Sequence, residues 1–499
     1  MTGRLSAATL DSLPPAVRRP PYDRRALKTG VVHIGAGAFQ RAHQAPIFDA
    51  LAADGDLRWG VVGASLRSPA VHDALAPQDW LYSLVVEDDF ERRASVIGVL
   101  KDIIVATQEP QRLAQVIATP EVQIVTVTVT EKGYKLDLSG TLIDDDPDVR
   151  ADAATLQAPR TLPGHLAAGL KLRKERGLDP VTVISCDNIT ANGRKLQATV
   201  AQLARAHDPS LADFIDQCAF PNTMVDRIVP ATTADDIERV SGELGLIDRA
   251  TIRTEPFSQW VIEDRFAANR PEFERAGVQF TTDVAPWEEA KLRLLNGAHS
   301  AMAYLGGLAG ISTVDRFVGG PERAFVELLW EELRPTLDPP PQLDLHDYCA
   351  TLMRRFGNSA LGHRLGQIAM DGSQKIPQRF GPAAIARLDQ GEAVDSIALV
   401  IAAWMRWQEG FDDKGRRFEI DDPLASTIGG LLRGSSSASD KVGALLSLKA
   451  IFPDRLAADP RFAGLVVGYF DGLQRTGARA TIQQFVLERA AASQGRITA

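Results

Sequence analysis

The sequence predicts an α/β protein in two parts, a domain with a mostly parallel sheet over residues 1–286 and a mainly α-helical domain over residues 287–499. Three observations carry this. Short, apolar, β-branched runs alternate with helix-forming segments through the first half of the chain. The first of these runs feeds a glycine turn that opens directly into a helical pattern. From about Trp287 onward the strand-like runs thin out and apolar residues recur at helical spacing. A length of 499 residues also exceeds the size at which one core keeps growing.

Taken in order, residues 1–25 carry prolines and arginines without an apolar core, so they read as neither a secretory signal nor an anchor. Residues 30–44, GVVHIGAGAFQRAHQ, give a strand (Val31, Val32, Ile34), a turn (Gly35, Ala36, Gly37) and a helix from Arg41 to Leu51. Glycines at 35 and 37 let backbone N–H groups approach a pyrophosphate at the helix N-terminus, with Ala38 and Phe39 beside it. The pattern suits a Rossmann-type domain, its rival being a tight turn with no ligand. The full fingerprint wants glycine or alanine where Gln40 stands.

Residues 60–65 (GVVGAS), 123–130 (QIVTVTVT) and 181–185 (VTVIS) read as further strands of the same sheet. Polar residues follow each of them. The second strand leads into Ser65-Leu66-Arg67-Ser68-Pro69, without the carboxylate that would bind the ribose hydroxyls of NAD; Arg67 there suits the 2′-phosphate of NADP. The third leads into Glu131-Lys132-Gly133-Tyr134, and the fourth into Cys186-Asp187-Asn188, then Asn192-Gly193. In an open sheet such loops lie over the ligand crevice. Asn188 is therefore a candidate amide donor, its rival role being an Asx turn or helix cap.

The helical half begins with KLRLLNGAHS, residues 291–300. On a continuous helix Asn296 lies about 140° and His299 about 80° around from Lys291, so all three can edge one cavity. An alcohol about to lose a hydride must also lose its hydroxyl proton, and a lysine can take it if burial lowers its pKa from ~10.4. Asn296 can donate to the developing alkoxide, and His299 can orient the lysine or a substrate hydroxyl. The competing reading is a half-buried amphipathic helix with a surface lysine. Helices are also expected over 288–305, 321–333, 344–356 and 395–408, with surface loops at 339–341 and 434–440.

Composition narrows the classes of function. With 45% hydrophobic and 24% charged residues and a net charge of -9, the chain is an ordinary globular protein unsuited to broad nucleic-acid or anionic-membrane binding. No apolar run approaches the ~20 residues that span a bilayer. Cys186, Cys218 and Cys349 are too few and scattered for a disulfide framework or structural zinc, and a reducing cytoplasm fits them best. The eight histidines show no metal-binding spacing, so no metal is expected, and nothing calls for a protein partner.

GAGAFQRAHQ, TVTEKGY, SCDN, FPNTMVDRIVP, EPFSQWVIED, KLRLLNGAHS and DGSQK occur in this order between residues 35 and 375, within a likeness that runs from about residue 15 to beyond residue 470. The series resembles the mannitol dehydrogenase family of long-chain polyol and aldonate dehydrogenases. The resemblance implies a zinc-independent NAD(P)-dependent enzyme, with a Rossmann-type domain followed by a helical one. It implies Lys291 as general base, Asn188 and Asn296 as the oxyanion hole, His299 as an assisting group and Asp226 as a substrate-site carboxylate. Glu288 is placed beside the route by which the base returns its proton, or else favours the helix N-terminus as a simple carboxylate.

Two departures bear on substrate. The mannitol 2-dehydrogenase branch has an arginine eight residues before the lysine of the DG-x-x-K motif, where this chain has Gln367 before Lys375. That branch also tends to glycine where Arg293 stands. RLGQIAMDGSQKIPQRF looks closer to the fructuronate reductase, or mannonate oxidoreductase, branch. A sugar-acid carboxylate would be met by Arg364, Lys375 or Arg293, although Arg293 lies about 200° from Lys291 and can face away. The expected substrate is thus mannonate or fructuronate, with a polyol such as mannitol or arabinitol as the alternative. NAD is the expected cofactor and NADP the alternative. A silent dinucleotide or sugar-acid sensor is a remote third reading, disfavoured because Lys291, Asn188 and Asn296 are all present.

Overall fold

Four of the sheet strands put a valine at the same level: Val62, Val32, Val125 and Val183 stand side by side across the register. They belong to β2 (Gly60–Ser65), β1 (Thr29–Ile34), β6 (Ile124–Val127) and β7 (Thr182–Ser185). With β5 (Leu100–Val105) they form a parallel five-stranded sheet in the order β5-β2-β1-β6-β7. Side chains alternate between its two faces. Val32, Ile34, Val62, Val125, Val127 and Val183 pack with the helices Leu162–Glu175 and Asn192–His207. Val31, Val61, Ile124 and Ile184 pack on the opposite face with Phe48, Leu51 and Trp59. A sheet buried on both faces reads as near-continuous apolar runs, which is why these strands are visible in the sequence.

The structure, a computed structural model, describes residues 3–137 and 140–497. The chain divides into two compact units, Met1–Ala285 and Pro286–Ala499. The first unit also holds two three-stranded sheets that the sequence reading missed. In one, β3 (Tyr82–Glu87) pairs antiparallel with β4 (Arg92–Ile97) and parallel with β9 (Ile252–Thr254). In the other, β10 (Gln259–Glu263) pairs antiparallel with β8 (Thr223–Asp226) and parallel with β11 (Gln279–Thr281). Several of these strands are only three or four residues long, too short for periodicity to register.

The expected strand over 123–130 ends early, at Val127. Its neighbour β1 stops at Ile34, where the chain turns, and Thr128 N–H donates to the Ile34 carbonyl at 2.9 Å as the last link.

The second unit is helical. Its core is built around Asp395–Trp407, buried from Ser396 to Met405, and Gly297–Leu308, in which Gly307 alone is not buried. A helix apolar on all sides belongs inside a bundle. The helices Arg323–Leu333 and Leu345–Phe356 match expectation closely. The expected helix over 288–305 is interrupted: α-helix Ala285–Ala290 passes into a π-helical turn, Lys291–Asn296, before α-helix resumes at Gly297. The expected loop at 434–440 also ends sooner, because Ser437 and Asp440 form a capping box that starts the helix Ala438–Leu446. Among the described residues no helix is long and apolar enough to cross a membrane.

Candidate active site

In the first unit the glycine turn after β1 is held from beneath by a buried network. His33 contacts Thr126 Oγ1 through Nδ1 at 2.7 Å and Thr128 Oγ1 through Nε2 at 2.9 Å, and Thr128 Oγ1 donates to the Gly35 carbonyl at 2.8 Å. Burial pushes the His33 imidazole down to about 3, so it works as a neutral hydrogen-bonding group. Two threonines at period two, Thr126 on β6 and Thr128 just past its end, thus explain the TVT of the sequence: both meet the His33 ring.

Gly35 has φ +96, and a Cβ there would lie 1.9 Å from the Thr128 carbonyl oxygen, so only glycine fits. Gly37 is different. A Cβ on it would meet nothing closer than the Gly35 carbonyl at 3.6 Å. Gly37, Ala38 and Phe39 keep part of their surface exposed, while Ala36 and Gln40 are buried. The helix Ala38–Ala42 starts here with no side-chain cap on its first N–H groups. An open glycine beside uncapped donors fits a dinucleotide pyrophosphate. Arg67, just past β2, is exposed, in a turn closed by Ser65 Oγ donating to the Ser68 carbonyl at 2.6 Å.

The loop after β7 carries Asn188, which is exposed. Its stem is fastened by Asn192, whose amide nitrogen donates to the Asp187 carbonyl at 3.0 Å and the Thr223 carbonyl at 3.0 Å. The Tyr134 hydroxyl donates to Asp187 Oδ2 at 2.7 Å and also meets Ser185 Oγ, tying the EKGY turn to this loop. Burial pushes the Asp187 carboxyl up to about 7, against the stabilising Tyr134 hydrogen bond. Asp226 closes β8 and is 4% exposed. Tyr134, Asp187 and Asn192 were not singled out from sequence; only their crowding at strand ends marked them.

In the second unit Lys291 is 7% exposed and Asn296 half-buried, at the two ends of the π turn. Hydrogen bonding in such a turn runs from i+5 to i, so residues five apart stack more nearly above one another than the ~140° of a regular helix allows. The extra residue therefore brings Lys291 and Asn296 toward one side. Glu288 sits in the first turn of the preceding helix and is half-buried.

His299, one turn on, is buried, with its ring 4.9 Å from Phe356 and 5.3 Å from His363. Burial first, then the charges of His363, Arg379, Arg355 and Lys291, hold its pKa well below 6.5. Its Nε2 is a buried atom without a hydrogen-bond partner, available to a substrate hydroxyl.

The DGSQK motif places Lys375 near this cluster. Its ammonium donates to the carbonyls of Ile368 at 3.3 Å and Met370 at 2.5 Å. Burial, with Arg379 adding to it, lowers the Lys375 pKa to about 8. Arg379, one helical turn after Lys375 and unremarked in the sequence, donates through Nη1 to the Asn296 carbonyl at 2.8 Å and Ser300 Oγ at 2.7 Å. Arg364 and Gln367 are exposed at the helix Leu365–Ile368. Arg293 is corrected as a substrate candidate: it is buried and committed to Glu289 at 3.0 Å and Thr336 Oγ1 at 3.0 Å. Among the described residues no three His, Cys, Asp or Glu side chains cluster in a way that could hold a metal ion.

Two family models cover most of the chain: the mannitol dehydrogenase Rossmann domain matches residues 29–275 and the mannitol dehydrogenase C-terminal domain residues 283–473. D-mannonate oxidoreductase of Escherichia coli (strain K12) is 38% identical over 93% of this chain and 97% of its own. A mannitol 2-dehydrogenase of Pyrenophora tritici-repentis is 39% identical over 97% of this chain and 86% of its own. Among solved structures, the Pseudomonas fluorescens mannitol 2-dehydrogenase ternary complex with NAD and D-mannitol superposes with a TM-score of 0.88 at 36% identity, covering 97% of this chain and 99% of that one.

Proposed function

Because the chain belongs to the mannitol dehydrogenase family, an oxidoreductase family acting on CH–OH groups, we propose that it interconverts D-mannonate and D-fructuronate with NAD. The observation that carries the chemistry is the buried Lys291 at the head of a π turn that ends in Asn296. Functional sites recur at such turns.

In the oxidative direction Lys291 Nζ takes the proton from the C5 hydroxyl. Asn188 and Asn296 are the residues assigned to donate amide N–H groups to the resulting alkoxide. His299, kept neutral, orients the substrate through its free Nε2. NAD, when bound, would be held at Gly35, Gly37, Ala38 and Phe39 and would supply the acceptor for the hydride leaving C5. Glu288 passes the proton from Lys291 outward, and Asp226 meets a substrate hydroxyl. Reduction of fructuronate reverses each step.

Lys375 supports the sugar-acid reading. Its ammonium donates to backbone carbonyls, beside Arg379 and the carboxylates of Asp371, Asp421 and Asp422, and a substrate carboxylate would give it a charged hydrogen-bond partner. Gln367, standing where the mannitol branch carries a sugar-binding arginine, points the same way, and Arg364 is the second cation offered to the carboxylate. The polyol reading is favoured by the likeness to a mannitol 2-dehydrogenase. The decisive experiment is a panel of fructuronate, tagaturonate, fructose and xylulose against NADH and NADPH. Fructuronate with NADH is expected to give the highest kcat/KM. Fructose turned over far better than fructuronate would overturn the substrate, and preference for NADPH would assign Arg67 to a 2′-phosphate.

A further inference from the structure

A π-helical turn disturbs the regular i+4 to i ladder, and two carbonyls of the Lys291–Asn296 turn take side-chain donors. Trp330 Nε1 donates to the Leu294 carbonyl at 2.9 Å, and Arg379 Nη1 to the Asn296 carbonyl at 2.8 Å. The same Arg379 nitrogen holds Ser300 Oγ at 2.7 Å, which ties the turn to the helix that follows it.

Arg379 is an unusual choice for this task. Among the described residues no acidic side chain pairs with it, and the group that favours its charge is the Tyr304 hydroxyl. Burial pulls its guanidinium down to about 10. Half-buried, it spends its guanidinium on neutral acceptors. Trp330 satisfies the neighbouring carbonyl with a neutral indole, so satisfying a carbonyl does not by itself call for a charge. A cation that answers no carboxylate and holds the backbone of a proposed catalytic amide is suited to positioning that amide.

We propose that Arg379 is a positioning residue for the alcohol–ketone chemistry: it fixes the Asn296 backbone at the end of the π turn so that the Asn296 amide is aimed at the alkoxide. The proposal rests on the roles given to Lys291 and Asn296. Arg379 acts through Asn296, so its loss should reach the chemical step and leave dinucleotide binding alone. Misplacement of a reacting group by about 1 Å lowers turnover by about 100-fold.

The test uses the full-length enzyme with its best substrate from the panel, in wild-type, Arg379→Met, Arg379→Lys, Ser300→Ala and Lys291→Ala forms. Arg379→Met is expected to lower kcat by about 10- to 100-fold. Its KM for NADH should stay within about twofold, and its melting temperature should change little, since no ion pair is lost with the half-buried guanidinium. Added guanidinium ion should restore part of the rate. Wild-type kcat in Arg379→Met, or a fall in melting temperature with kcat unchanged for the folded enzyme, overturns the proposal. If that variant does not fold, Arg379→Lys and Ser300→Ala decide: lowered kcat at unchanged KM for NADH supports it, and full kcat in both overturns it. A Lys291→Ala enzyme that keeps its rate sinks the underlying catalytic reading instead. An inactive Lys291→Ala beside a fully active Arg379→Met removes this inference alone.

Discussion

His299 and His363 meet edge to face, ring centroids 5.3 Å apart and planes at 84°. Each pKa lies below 6.5: burial leads for His299, with the His363 charge next, and burial alone lowers the half-buried His363. In the proposed mechanism His299 is therefore expected to act as a neutral hydrogen-bonding ring. The kcat/KM profiles of the wild type and His299→Asn should share the same limbs between about pH 6 and 8 and differ only in height. A limb near 6.5 present in the wild type and missing in the variant would mean that His299 titrates in the free enzyme.

Lys291→Ala should cut kcat by about 100- to 10,000-fold at neutral pH, the usual worth of a general base, with dinucleotide affinity nearly intact. Asn188→Ala and Asn296→Ala should each cost about 100- to 1,000-fold in kcat, as the loss of one alkoxide donor does. Stopped-flow single turnovers with NADH fluorescence titrations separate these from binding losses. Weakened NADH binding at full single-turnover rate would move the altered residue from the chemistry to the cofactor.

Lys375, with its pKa lowered to about 8, gives the substrate assignment a pH signature. Below that value the free enzyme offers an ammonium to a carboxylate; above it the amine is neutral and the attraction is gone. The ratio of kcat/KM for fructuronate over fructose should therefore fall as pH rises through 8. In Lys375→Met the ratio should be lower by about 10- to 100-fold and flat with pH, the expected worth of a charged hydrogen bond. A ratio that rises with pH would remove Lys375 from carboxylate binding.

Gly35 and Gly37 should part company. Gly35→Ala forces a Cβ against the Thr128 carbonyl at positive φ, so thermal melts should show a loss of about 2 kcal/mol or more. Gly37→Ala meets no such obstacle, its nearest neighbour lying at 3.6 Å, so the melt should stay put while the Kd for NADH rises. Equal losses of stability in both would mean that Gly37 serves the fold rather than the cofactor.

Much of this protein is legible in its residues. The doubly covered sheet is visible because strands buried on both faces leave uninterrupted valine and isoleucine runs, and the turn at Gly35 because a left-handed backbone excludes other residues. The small sheets built on Tyr82–Glu87 and Gln259–Glu263 were not, since their short partners carry too few residues for a period to emerge. Lys291, Asn296 and His299 announce an alcohol chemistry by residue type and spacing. The angles that spacing implied were those of an α-helix, and the π turn changes them.

What the sequence determined by itself is the fold class and the family, and it supplied the side chains proposed to react, because these depend on local residue patterns. Tertiary structure alone decided that Arg293 is spent on Glu289 and Thr336, that Arg379 grips the Asn296 carbonyl, and that His363 lies against His299. The Arg379–Asn296 bond joins residues 83 positions apart, and no local pattern records which distant groups meet.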